Sequence, residues 1–99
     1  MSFVTSEPEM LLVTAGDLAA IGSMMRAQDA AAAGPVTGVV PPAVDEVSAL
    51  TAAEFAPHGQ MYQAVSAQAA AVHELFATAM GAGAGSYAAT EAANAAATS

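Results

Sequence analysis

Ninety-nine residues with 56% hydrophobic content and a net charge of −8 make at most one small domain. Arg26 is the sole Lys or Arg, so the cations that neutralise nucleic-acid phosphates or seek anionic lipid headgroups are missing. There are no cysteines, which excludes a disulfide frame and thiolate metal sites and leaves the redox compartment open.

The chain begins without a positive charge ahead of Leu11-Leu12-Val13, so no Sec-type leader is expected. Ser6-Glu7-Pro8-Glu9 is a helix-start signal: Ser6 as cap, Glu9 completing a capping box, and Pro8 tolerated in the first turn. A first helix is predicted from about 8 to 33. Leu11, Leu18, Met25 and Ala32 recur every seven residues, with Ala15, Ile21 and Gly22 beside them. Met10, Val13 and Met24 widen the apolar arc beyond what one antiparallel neighbour needs, and Asp17 is read as a rim charge within it.

Gly34-Pro35 is expected to end this helix, and residues 34–44, with Gly38 and Pro41-Pro42, form a stiff connector. Asp45 is the expected cap of a second helix from about 45 to 80, which would be about 54 Å long at ~1.5 Å per residue. Along it Phe55, His58, Tyr62, Val65, Ala69, Val72, Phe76 and Ala79 alternate in spacings of three and four, a heptad seam. Val47, Leu50, Met61 and Leu75 flank it. Pro57, inside this helix and two residues before Gly59, is expected to kink it rather than break it. Gly81 to Gly85 reads as a flexible breaker, and 86–99 as a flexible tail.

The fold class that follows is all-α: an antiparallel two-helix hairpin. Both helices carry more apolar surface than a hairpin can bury, so a second helical pair is required, from another copy or from a different protein. The window from Phe55 to His73 lacks charge but holds Pro57, His58, Gln60, Gln63, Ser66 and Gln68, so no membrane span is expected there and the chain is read as soluble.

Chemistry is not evident. His58 and His73 lie about 22 Å apart along a helix, too far to share a metal. Glu54 and His58 offer two ligands without a third. The methionines read as core and interface filler. No nucleophile stands at a recognised spacing from a base, and the Gly81 to Gly85 run lacks a phosphate-binding lysine, so neither enzyme activity nor a cofactor or metal is expected. A self-associating cytosolic helical adaptor and a small helical hydrolase are the competing readings, the second weakened by the missing nucleophile–base pair. In the tail, Tyr87 and Glu91 are four apart and share a face if helical.

Several stretches together resemble the mycobacterial PE family: Pro8-Glu9, Ala30 to Pro35, Val39-Val40-Pro41-Pro42, Asp45 to Ala53, Tyr62-Gln63-Ala64-Val65-Ser66, and Ser86 to Glu91. The resemblance covers essentially the whole chain and leaves no room for a further C-terminal domain. Pro57 departs from the small residue usual at that place. The resemblance implies a hairpin, residues 1–85, that docks on a PPE-family protein to complete a four-helix bundle. It implies export by a type VII secretion system, whose cytosolic chaperone grips mainly the PPE subunit. Tyr87 and Glu91 match the family's Tyr-x-x-x-Asp/Glu secretion signal. The expected partner interface comprises Leu11, Ala15, Leu18, Gly22, Met25, Leu50, Phe55, His58, Met61, Tyr62, Val65, Val72 and Phe76. The pair would be cytosolic before export and secreted or surface-bound after it.

Overall fold

The computed structural model describes residues 5–99, and among these the secondary structure is two α-helices. Helix α1 spans Pro8–Thr37 and α2 spans Glu46–Thr98. Both helices pass through two compact units, one made of described residues 5–22 with Val72–Ser99 and the other of Ser23–Ala71. In the first unit Leu18 meets His73 and Ser6 meets Glu91, so the helix segments run antiparallel. In the second, Asp29 meets Tyr62 and Gln63, again antiparallel. The all-α hairpin read from the sequence is therefore the observed class.

The first helix starts at Pro8, as expected, but its cap lies one residue after Ser6. The Glu7 carbonyl accepts from the Leu11 N–H at 3.1 Å, which makes Glu7 the N-cap and puts Pro8 at the first helical position. There its missing N–H costs nothing. Ser6 is displaced from the capping role, and its hydroxyl donates to Glu91 instead.

At the other end, α1 runs past Gly34-Pro35 to Thr37, four residues beyond the expected stop. Pro35 lacks the N–H that would donate to the Ala31 carbonyl, so the last turn of α1 forms one helical bond short. The Thr37 hydroxyl donates to the Ala33 carbonyl at 2.6 Å and the Gly38 N–H to the Gly34 carbonyl at 2.9 Å, satisfying the carbonyls of the final turn. The connector thus shrinks to residues 38–45.

Asp45 caps α2 as its sequence context predicts. Its carbonyl accepts from the Ala49 N–H, one carboxylate oxygen from the Ser48 N–H at 2.7 Å, and the other from the Ser48 hydroxyl at 3.0 Å. The Ser48 N–H, with help from its hydroxyl, holds the Asp45 carboxyl below its ordinary value of 3.8. A lowered folded-state value means that the cap stabilises above the unfolded pKa and is lost as pH falls through the folded one. The Ser48 amide shift should therefore titrate with a midpoint below 3.8, and a midpoint at or above that value contradicts the capped geometry.

Helix α2 is continuous through Pro57 and through Gly81 to Gly85, and it ends only at Thr98. The expected breaker is not a break, and the expected flexible tail is the last stretch of the helix. Propensity alone charges ~1 kcal/mol for each interior glycine. Packing against α1 offsets part of it where Gly81 is half-buried and Ala84 is 3% exposed.

What the hairpin buries is small. Among the described residues the buried apolar ones are Ala15, Ala52, Ala77 and Ala84, and Gly22 and Gly59 are buried as well. The accessible surface is 7345 Å² for 9.6 kDa. A globular monomer of that mass would expose about 5,100 Å². The helices pair by close approach at small residues and leave most of their large apolar side chains exposed.

Candidate partner interface and tail motif

Burial along α2 resolves which heptad seam faces α1. Ala52, Ala56, Gly59, Gln63, Ser66, Ala70, His73, Ala77, Met80 and Ala84 are buried or half-buried, spaced by four and three throughout. Each lies one position after, or continues, the large-residue seam read from the sequence. The seam of Phe55, His58, Tyr62, Val65, Ala69, Val72, Phe76 and Ala79 is exposed. Two parallel rows therefore run along one helix: a small and polar row spent on α1, and an apolar row left open.

In the unit holding the connector, the exposed row includes Phe55 at 59% and Tyr62 at 52%, with Leu50, His58, Met61, Val65 and, on α1, Met25 also exposed. Phe55, His58 and Tyr62 line a cleft of about 560 Å³ with Ala32, Pro35, Val36, Val39 and Gly59. At its floor the helices meet without side chains: a Cβ on Gly59 would fall on the Val36 carbonyl oxygen and 2.6 Å from its carbon. Tyr62 is partly committed inside the chain, its hydroxyl donating to Asp29 Oδ1 at 3.1 Å, while Gln63 Nε2 donates to the Asp29 carbonyl at 3.2 Å.

In the unit holding the chain ends, Val72 and Phe76 are exposed, as are Met10, Leu12, Val13, Ile21 and Leu75. Leu11 and Leu18 are half-buried. Ala15 and Gly22, expected at the partner interface, are buried within this unit. The reason is size: the closest helix approach selects the smallest residues. At Gly22 a Cβ would come within 2.8 Å of His73 Cδ2, and the His73 Nε2–H donates to the Leu18 carbonyl. Glycine at that position leaves space for the imidazole.

Tyr87 and Glu91 continue the inward row, three and seven residues after Ala84. Both are exposed, and Ser6 Oγ donates to Glu91 Oε1 at 3.1 Å. They are thus in register with the intramolecular seam, not outside it.

Among the described residues no group of three or more His, Asp or Glu side chains gathers into a metal site. One described helix, Pro8–Thr37, is long and apolar enough to cross a membrane by length and composition alone. Asp17, Arg26 and Asp29 punctuate it.

Two antiparallel helices that pair through small residues and leave most of their large apolar ones exposed define a helical-hairpin protein with an exposed apolar face. The family model for the PE family matches residues 4–94, and the chain belongs to that family. It is 62% identical over 99 residues to the PE family protein PE13 of Mycobacterium tuberculosis (strain ATCC 25618 / H37Rv), covering all of both chains. It is 60% identical over 95 residues to PE_PGRS36, a PE-PGRS family protein of M. tuberculosis (strain CDC 1551 / Oshkosh), covering 96% of this chain and 19% of that one. Against PE8 of strain H37Rv the identity is 50% over 94 residues, 95% of this chain and 34% of PE8.

Proposed function

We propose that the chain is the non-enzymatic PE subunit of a heterodimer with a PPE-family protein, exported through a type VII secretion system. The observation that carries the reading is the division of labour on α2, where alanine, glycine and polar residues face α1 while Phe55, Tyr62 and Phe76 stay more than half exposed. A row of large apolar side chains of this length is a partner surface or an aggregation liability. Size-exclusion chromatography, with and without a co-expressed PPE protein, is the test. Alone, the chain should aggregate or melt without cooperativity, and a partner that binds only the folded state should raise its melting temperature. A soluble monomer with a sharp thermal transition by itself overturns the proposal, and a stable homo-oligomer favours the self-associating adaptor.

Export is assigned to Tyr87 and Glu91, with the pair cytosolic before export and secreted or surface-bound afterwards. The system's chaperone would grip the complex mainly through the PPE subunit, and the secretion machinery is a further partner. Four-residue spacing on a helix puts the ring and the carboxylate on one face, where a receptor gains apolar area and a charge-assisted hydrogen bond. Tyr87→Ala and Glu91→Ala should each stop export of a tagged chain while leaving cytosolic pairing intact. Normal export of both variants removes the assignment, and loss of pairing along with export makes the segment structural.

A further inference from the structure

We infer that Ser6 is a positioning residue for Glu91, fixing the C-terminal end of α2 beside the start of α1 so that the Tyr87–Glu91 face is presented in one orientation. This inference rests on the export reading of those two residues. Ser6 is released for the task by the way α1 begins. With Glu7 as N-cap and Pro8 at the first helical position, the Ser6 hydroxyl has no capping duty, and it donates to Glu91 Oε1 at 3.1 Å across 85 residues of sequence. The bond sets a carboxylate near the positive end of the α1 dipole, which favours it, despite the like charges of Glu7 and Glu9 close by in sequence.

The segment it holds needs such a tie. Every residue from Gly85 to Ser99 is exposed, so the last four turns of α2 gain little from packing. Helix ends of this kind open locally at low free-energy cost. A motif read from a fraying helix must be ordered as it binds, and a contact that orders it beforehand improves recognition. Register supports the same point, since Glu91 lies seven residues after Ala84, the most buried of the core alanines at 3%. The carboxylate is consequently aimed along the inward row, where Ser6 meets it.

The experiment uses the full chain in complex with its PPE partner. Amide hydrogen exchange over residues 86–98 is measured for Ser6→Ala and Ser6→Thr, with export of the same variants scored alongside. In Ser6→Ala, exchange around Glu91 should rise roughly two- to tenfold, the range of one modest hydrogen bond. Export should slow by a similar factor, with pairing unchanged. Ser6→Thr keeps the hydroxyl and should restore both. Unchanged exchange in Ser6→Ala, or faster export, overturns the inference. Should Glu91→Ala block export while Ser6→Ala leaves it untouched, the inference falls and the export reading stands. Normal export of Glu91→Ala removes Glu91 from the export signal, and the role of Ser6 in recognition with it.

Discussion

Gly59→Ala should unfasten the two helices in the unit that contains the connector. The added methyl would fall on the carbonyl oxygen of Val36, and its neighbours there are backbone atoms of α1, which cannot rotate aside as a side chain can. Alanine is the better helix former by ~1 kcal/mol, so α2 considered by itself would gain. Overpacking against a rigid backbone costs ~1–3 kcal/mol and sometimes more, and the helices would have to separate to relieve it. The clash should win. Gly83→Ala is the control, because nothing lies within 4 Å of a Cβ at that position and only the propensity gain remains. Hydrogen exchange should show lost protection over 23–71 in Gly59→Ala and equal or greater protection in Gly83→Ala. Unchanged exchange in Gly59→Ala would mean that the helices do not approach at Val36.

Phe55→Ala and Phe76→Ala should act on the opposite property, weakening the complex while sparing the chain. Both rings are more than half exposed, so removing either takes little from the hairpin itself. In an interface they would be the large aromatic anchors, a class whose truncation commonly costs ~2 kcal/mol or more. That corresponds to a loss of partner affinity of roughly thirtyfold. Titration of a purified PPE partner against each variant, with helicity followed by circular dichroism, separates the two effects. Full affinity in both variants would place the partner on another face of the hairpin. A collapse of helicity before any partner is added would show that the rings belong to the core after all.

The sequence was most legible where local chemistry decides. Helical pattern, the Asp45 cap and the pairing of two long helices follow from periodicity, and the structure has all of them. Helix α1 runs through Gly34-Pro35 and α2 through Gly81 to Gly85 because propensity describes a helix alone, whereas Thr37, Gly38 and the packing of Ala84 change the balance locally. The instructive difference is the seam. Hydrophobic periodicity selects the largest side chains and finds Phe55, Tyr62 and Phe76, yet the intramolecular contact lies one residue further round the helix, at Ala56, Gln63 and Ala77. Size predicts burial when a chain must fill its own core. Two helices that touch through their backbones are governed by the reverse rule, and its signal in the sequence is a three-four repeat of small residues adjacent to the obvious one.

The polar members of that small-residue row have a further effect. Alanine repeats look nearly alike after a slide of one heptad, about 10 Å along the axis. Shape by itself would therefore tolerate several alignments of the same two helices. His73 on the Leu18 carbonyl, and Gln63 on the Asp29 carbonyl, each tie their unit to a single alignment. A slide would strip these half-buried donors of their acceptors, at ~1–3 kcal/mol apiece. Alignment is thus encoded by hydrogen bonds in a row too small to encode it by volume, and the large apolar residues need take no part in it.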